Sequence, residues 1–139
     1  MGLCKLAHYA VRAPDLEASR RFYVEVLGLR PGFRPPFGFP GVWLYLGDDE
    51  AGFGVVHLVG ADPAHPDALT DCLGEGGEGQ GAIDHIAFLA EDWPAQRARC
   101  EAHGAAFTER QVPGLGLRQV FLLDPAGVTV ELNYPVSAA

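Results

Sequence analysis

The sequence lacks several features that would assign it to large classes of protein. No apolar run approaches the roughly 18–20 residues that cross a membrane as a helix, and the N-terminus has no long apolar core of the signal-peptide type. Basic residues are few, since 10 Lys and Arg stand against 18 Asp and Glu, and the formal net charge of −8 disfavours nucleic acid and anionic lipid as partners. We therefore expect a soluble, cytoplasmic protein with no nucleic-acid or membrane partner.

Cysteine is also scarce. The chain has three, Cys4, Cys72 and Cys100, an odd number without the spacing of a metal site. This pattern disfavours a disulfide scaffold and indicates reduced thiols. With 139 residues, of which 48% are hydrophobic, the chain has the size of a single domain that buries a core without such cross-links.

The sequence contains an internal repeat, which decides the architecture. The segment beginning at His8 matches the segment beginning at His85, at an offset of 77, the separation of the two histidines. Six residues of the first segment are identical to the residue 77 positions later: His8, Ala10, Ala13, Asp15, Ala18 and Arg20. The same offset aligns Leu44 with Phe121, whereas His57 aligns with Glu131 at an offset of 74. The missing three residues fit a shorter turn in the second copy, at 124–127 instead of 48–54.

Each copy predicts the order β-α-β-β-β. In the first, residues 3–11, 29–34, 42–47 and 54–59 have the pattern of strands, and residues 15–27 that of a helix. In the second, the strands are 83–90, 105–111, 118–123 and 128–133, and the helix is 92–103. Gly28 and Gly104 stand where the helices should end. The single domain thus divides into a module at about 3–60, a Gly- and Pro-rich linker at about 61–81, and a module at about 82–135.

Four residues at repeat-equivalent positions are the candidate metal ligands. His8 and His85 belong to the first strands of the two modules, and His57 and Glu131 to the last. If the modules pack about a pseudo-twofold axis, the four side chains converge. A cation would remove the cost of burying a strand carboxylate, and three imidazoles with one carboxylate suit a divalent transition metal such as Fe, Mn, Co, Ni or Zn. Taken singly, each residue also fits a structural role.

Three motifs carry a resemblance to a known family. They are Asp84-His85-Ile86-Ala87-Phe88, Asp124-Pro125-Ala126-Gly127 and Val130-Glu131-Leu132-Asn133. With the duplicated unit, they resemble the vicinal oxygen chelate superfamily, which includes glyoxalase I, methylmalonyl-CoA epimerase, extradiol dioxygenases, and fosfomycin- and bleomycin-resistance proteins. The resemblance covers roughly residues 5–134. It implies an α+β fold in which two βαβββ modules form a curved mixed sheet around a metal site, the glyoxalase-like fold.

The resemblance also implies roles for particular residues. His8, His85 and Glu131 match the family's metal ligands. The fourth-strand position is Glu in many glyoxalases and Gln in epimerases, whereas here it is His57. His57 is therefore either a fourth ligand or an acid–base group, because its unperturbed pKa suits proton transfer near neutral pH. The departure weakens the case for methylglyoxal–glutathione chemistry.

Other side chains are candidates for binding a substrate, with a structural role as the alternative for each. Aromatic residues could form a pocket wall, Arg118 and Gln119 could touch a carboxylate or carbonyl, and two residues flank Glu131. The full set of candidates is Phe37, Phe39, Trp43, Tyr45, Arg118, Gln119, Asn133 and Tyr134.

Three functions follow as hypotheses. The first is a metal-dependent lyase or isomerase acting on a small oxygen-chelating substrate. The second is an Fe(II) extradiol-type ring-cleaving dioxygenase, and the third is a drug- or metabolite-binding resistance protein without turnover, for which the aromatic segment 31–41 could line the ligand. Small members of the family usually dimerise, often with both chains forming each site, so the resemblance implies a homodimer.

Overall fold

The structure is a computed structural model that describes residues 2–48, 54–60, 79–112 and 116–135. The first module consists of β1 (Tyr9–Ala13), α1 (Leu16–Arg21) continued by a π-helical turn (Phe22–Val26), β2 (Arg30–Pro31), β3 (Gly41–Tyr45) and β4 (Val56–Gly60). The second consists of β5 (Ile86–Leu89), α2 (Trp93–Ala102), β6 (Thr108–Val112), β7 (Leu117–Leu123) and β8 (Thr129–Pro135). The predicted order, β-α-β-β-β twice, is confirmed. The longer turn at 48–54 and the linker at 61–81 lie mostly outside the described residues.

The helix boundaries follow from local chemistry. The Asp15 carboxylate accepts a hydrogen bond from the Ala18 amide at 3.0 Å, and Asp92 caps α2 in the same way through the Ala95 amide at 3.3 Å. Gly28 follows the first helix with φ of +84°, a conformation that costs glycine little because it has no Cβ. The predicted starts and stops of both helices are therefore correct.

The two sheets repeat each other strand for strand. Their orders are β1-β4-β3-β2 and β5-β8-β7-β6, with the first pair of each parallel and the others antiparallel. The predicted offsets of 77 and 74 are correct for the parallel pairs. Tyr9 lies opposite Val56 in the first module, and the equivalent residues Ile86 and Val130 lie opposite each other in the second.

The predicted alignment of Leu44 with Phe121 is wrong by one residue. Leu44 lies opposite Val56, and the residue opposite Val130 is Leu122. The offset between these strands is therefore 78, the separation of Leu44 and Leu122. Loop lengths on either side of a strand change independently, so one sequence offset does not hold through a whole module. The corrected register makes Trp43 and Phe121 equivalent.

The first strand of each module is shorter than predicted. Residues 2–8 are outside regular structure, and Leu3 and Leu6 are 88% and 84% exposed. Their apolar character predicted a strand, but no core in the described part of the chain covers these side chains. His8 and His85 consequently lie immediately before β1 and β5.

Both modules bury one sheet face in a shared core. Val56 and Leu58 of β4 and Val130 and Leu132 of β8 are buried in the same hydrophobic cluster. Since strand side chains alternate between faces, His57 and Glu131 project from the opposite faces, away from that core.

Polar contacts also join the modules. The Tyr23 hydroxyl, in the π-helical turn, donates to the buried Asp124 carboxylate at 2.7 Å, and Tyr9 donates to the Tyr23 oxygen at 3.2 Å. The Gln96 amide of α2 donates to the Val26 carbonyl at 2.7 Å. Among the described residues, no helix is long and apolar enough to span a membrane.

Candidate functional site

The candidate ligands of the first module form a stacked pair. The imidazole rings of His8 and His57 lie 3.8 Å apart between centroids, with 16° between their planes. Trp43, directly opposite His57 across β3 and β4, also stacks on it at 4.0 Å and 6°. Stacking fixes the plane of the His57 ring, whereas its nitrogens lie in that plane at the ring edge. The two stacking partners therefore hold the plane of the His57 ring.

The predicted aromatic wall continues this stack. Phe37 lies 6.1 Å from Trp43, and Phe39 stacks on Phe37 at 5.4 Å. The Arg34 guanidinium lies 5.1 and 5.0 Å from these two phenyl rings and donates to the Phe39 carbonyl at 2.7 Å. Burial lowers the pKa of Arg34 from its usual value. Segment 31–41 thus packs its aromatics beside the first candidate pair.

Tyr45 lies on the same strand face as Trp43 and anchors this segment. Its side chain is buried, and its hydroxyl donates to the Phe33 carbonyl at 2.5 Å. Gly32 lies against the ring, because a Cβ at that position would come within 2.6 Å of it. Tyr45 therefore holds segment 31–41 in place.

The candidate ligands of the second module lie next to each other. His85 Nε2 lies 3.7 Å from Glu131 Oε2, and Glu131 is only 6% exposed. His85 Nδ1 is 2.8 Å from the Asp84 carboxylate. This hydrogen bond is the main cause that raises the pKa of His85; desolvation opposes the shift, and the charges of Glu131 and Asp84 add to it.

Two of the residues predicted to touch substrate contact Glu131. Gln119 Nε2 donates to Glu131 Oε1 at 3.1 Å, and Asn133 Nδ2 donates to Glu131 Oε2 at 2.9 Å. Gln119 also donates to the Asn133 side-chain oxygen at 3.2 Å. Each oxygen of the buried carboxylate thus has its own amide donor, which offsets the cost of desolvating it.

Arg118 and Tyr134 lie on the other face of the same strands. They are opposite each other across β7 and β8, whereas Gln119 lies opposite Asn133. Tyr134 is buried beside Trp93, at 5.5 Å between ring centroids, and burial raises the pKa of Tyr134 to about 12. Arg118 pairs with Glu109 at 3.1 Å. Both side chains line a surface cavity of about 760 Å³ beside the start of α2, on the face opposite Glu131.

The four candidate ligands therefore form two pairs. The fold brings His8 next to His57 and His85 next to Glu131. Within the described ranges, which include all four residues, no group of three or more His, Cys, Asp or Glu side chains is arranged to hold a metal ion. The burial pattern gives the reason, since each pair projects from the sheet face that points away from the shared core.

Sequence reasoning did not single out three residues of the second pair's surroundings. Asp84 appears in the family motif without an assigned role, and Arg110 and Phe121 were not candidates. Arg110 Nε donates to Gln119 Oε1 at 2.8 Å, and the Phe121 ring lies edge-on to His85 at 6.5 Å. The register of β6 on β7, which places Arg110 opposite Gln119, is the signal that could have indicated the first of these contacts.

Comparison with known proteins extends these findings. Residues 5–132 match the model of the family described as Glyoxalase/Bleomycin resistance protein/Dioxygenase superfamily. The protein named Glyoxylase I 4 of Arabidopsis thaliana is 29% identical over 138 residues, which cover 94% of this chain and 70% of the relative.

Solved structures have the same fold. A lactoylglutathione lyase from Agrobacterium tumefaciens superposes with a TM-score of 0.66 and 24% identity, covering 96% of each chain. TnmS3, an antibiotic-binding protein from Streptomyces sp. CB03234, superposes with a TM-score of 0.61 and 25% identity, covering 97% of this chain and 98% of the other. Similar scaffolds therefore carry both an enzyme and a binding protein, and the choice between those functions rests on the site.

Proposed function

Because this chain belongs to the glyoxalase/bleomycin resistance protein/dioxygenase superfamily, we propose that it is a metal-dependent lyase or isomerase that acts as a homodimer on a small substrate with two neighbouring oxygen atoms. The observation that carries the proposal is the buried Glu131 carboxylate, held by two amides and facing His85 at 3.7 Å. A carboxylate in this setting is oriented and desolvated, as a metal ligand must be.

The donor set fits a divalent transition metal. His8, His57, His85 and Glu131 would hold it, and three neutral imidazoles with one carboxylate leave a net charge near +1. A bound ion of this kind supplies Lewis acidity, which stabilises negative charge that develops on a substrate oxygen. His57 is a ligand in this proposal; in the alternative, it accepts a substrate proton, and its ring plane is already fixed by Trp43.

A complete site requires two chains in this proposal. Each chain offers one pair from each module, on faces directed away from its own core. A second copy related by a twofold axis can bring its His85 and Glu131 to the His8 and His57 of the first. Such an interface contacts both chains through the same surfaces and forms two identical sites.

The direct test is metal retention by purified protein. The substitutions His85→Ala and Glu131→Ala should each remove most of the bound metal, measured by elemental analysis after dialysis. Suitable controls are His103→Ala and Glu101→Ala, because both residues are exposed on or next to α2 and outside the site. Full metal occupancy in either site variant would contradict the ligand assignment.

The metal and oxygen consumption then separate the reaction classes. Ni, Co, Mn or Zn without O₂ uptake supports the lyase or isomerase. Iron together with catechol-dependent O₂ uptake would instead identify a ring-cleaving dioxygenase, for which two His and one Glu suffice as ligands.

A binding protein without turnover is the second candidate. The stack of Phe39, Phe37 and Trp43 favours it, because aromatic rings provide a wall for a planar ligand. This candidate predicts that wild-type protein retains no metal and that planar aromatic compounds quench Trp43 fluorescence. Quenching lost in Trp43→Phe would assign the binding to this wall.

A further inference from the structure

We infer that Arg110 and Gln119 form a hydrogen-bonded relay that orients the Glu131 carboxylate, so that both act as positioning residues for the candidate metal site. The inference rests on the proposed function, because it concerns the same carboxylate. It assigns a role to an arginine on an edge strand that neither the family match nor the sequence motifs indicate.

The relay begins with a closed ring of three side chains. Gln119 Nε2 donates to both Glu131 and Asn133, at 3.1 and 3.2 Å, and Asn133 Nδ2 donates to the second Glu131 oxygen at 2.9 Å. Both amide side chains therefore donate to Glu131, and Glu131 only accepts hydrogen bonds from them. An ionised carboxylate suits this position because it has no proton to donate.

Arg110 fixes the direction of this ring. An amide can present either its oxygen or its NH₂ group to a neighbour, whereas a guanidinium only donates. Arg110 Nε donates to Gln119 Oε1 at 2.8 Å, so the Gln119 NH₂ group is left to face Glu131 and Asn133. Without Arg110, the Gln119 oxygen loses this donor, and the amide is held only through its NH₂ group.

Arg110 also packs against Phe121, the ring that borders the other candidate ligand, His85. Its guanidinium lies 5.4 Å from the centre of the Phe121 ring, and Phe121 lies edge-on to His85 at 6.5 Å. The same arginine therefore supports Glu131 through Gln119 and packs on the ring that borders His85. A planar, forked donor that also stacks is a role for arginine that lysine fills poorly.

The exposure of Arg110 makes a purely structural role a weak explanation. The residue is exposed on β6, an edge strand, and exposed charged contacts usually contribute little to folding stability. Its substitution should accordingly leave stability almost unchanged while altering the site, which provides the experimental distinction.

The first measurement is the affinity of the full chain for Co²⁺ alone, by calorimetry. We expect Gln119→Leu to weaken binding by about 10- to 100-fold, as is usual for partners of metal ligands, and Arg110→Met by a smaller factor. Arg97→Met is the matched control, because it removes an equal charge from an exposed arginine on α2. Arg110→Lys should restore part of the loss.

A double-mutant cycle tests whether Arg110 acts through Gln119. If it does, adding Arg110→Met to Gln119→Leu causes no further loss of Co²⁺ affinity. Additive losses would show that the arginine acts by another route and would overturn the relay. Melting temperatures of all variants separate these effects from unfolding.

The second measurement needs no metal. In metal-free protein, ¹H–¹⁵N spectra should show the side-chain NH₂ signals of Gln119 and Asn133 shifted in Arg110→Met and unchanged in Arg97→Met. If wild-type protein binds no metal, the proposed function fails. The NH₂ signals still test whether Arg110 orients Gln119 and Asn133. Unchanged NH₂ signals in Arg110→Met would overturn the inference whether or not the protein binds metal.

Discussion

The Ser19 side chain is buried in α1 at 1% exposure, and its hydroxyl oxygen has no hydrogen-bond partner among the residues that the structure describes. Burying a hydroxyl in this way is unfavourable, and alanine is the better helix former. Ser19→Ala should therefore raise the free energy of unfolding by about 1 kcal/mol, measured by urea denaturation. A lower stability would show that the hydroxyl has a partner in solution.

At the same scale, the sequence predicted the equivalent positions of His57 and Glu131 better than their surroundings. The repeat paired His57 with Glu131, and the register confirms that their positions are equivalent, since they lie opposite Ala10 and Ala87. Gln119 is predicted to touch a substrate, and the sequence did not indicate that it contacts Glu131. Its contacts depend on the cross-strand neighbours Asn133 and Arg110, which only the register reveals.

At the scale of elements, the π-helical turn connects the two modules through Tyr23. Its hydroxyl donates to the buried Asp124 carboxylate, as do the amides of Ala126 and Val128. Tyr23→Phe removes the hydroxyl donor, and we expect a loss of about 2 kcal/mol in unfolding free energy, the range for hydrogen bonds to charged groups. Tyr9→Phe is the control, with a smaller loss, because its hydroxyl donates to a neutral oxygen at 3.2 Å.

The same pair of tyrosines predicts a loss of stability at high pH. Burial raises the pKa of both Tyr9 and Tyr23 above the ordinary value near 10. Above pH 10 the unfolded chain therefore releases protons that the folded chain keeps, so the free energy of unfolding falls as pH rises. Each such tyrosine contributes a slope of up to about 1.4 kcal/mol per pH unit.

Urea denaturation between pH 9 and 11 measures this slope. Tyr23→Phe should have a shallower decline than wild type, because one of the tyrosines whose pKa is raised by burial has been removed. Equal slopes in the two proteins would mean that folding does not hinder deprotonation of the Tyr23 hydroxyl.

The elements that the sequence predicted well are those with local causes. Asp15 and Gly28 set the limits of the first helical segment through capping and a left-handed backbone, and both signals are visible in the sequence. The π-helical turn at Phe22–Val26 was not predicted, because an i→i+5 hydrogen bond needs no distinctive residue. The strand predicted from Leu3 was wrong at its start, because apolar residues indicate burial without showing which surface supplies it.

At the scale of the whole molecule, the repeat predicted two equivalent modules but not how they face each other. A pseudo-twofold arrangement with the ligand faces inward would have joined the four side chains. Instead, both modules direct the Val56 and Val130 faces of their sheets into one core. This choice depends on which face of each sheet is the more apolar across several strands, and hence on packing between segments far apart in sequence.

The paired arrangement leads to a prediction about mixed dimers. One variant, His8→Ala/His57→Ala, lacks the first pair, and the other, His85→Ala/Glu131→Ala, lacks the second. Neither should retain metal alone. If each site joins the first module of one chain to the second module of its partner, a dimer containing one chain of each variant has one intact site and one without ligands. Heterodimers isolated through two different affinity tags should then hold about half the metal of wild type.

The control is a heterodimer of His85→Ala with Glu131→Ala. Both defects lie in the same pair, so each of its sites lacks one ligand, and little metal should return. Sites formed within a single chain would give a different result, because the mixed dimer of the two double variants would then contain no intact set. Wild-type protein that holds metal, alongside a mixed dimer that holds none, would therefore exclude sharing of the site between chains while leaving the ligands themselves in place.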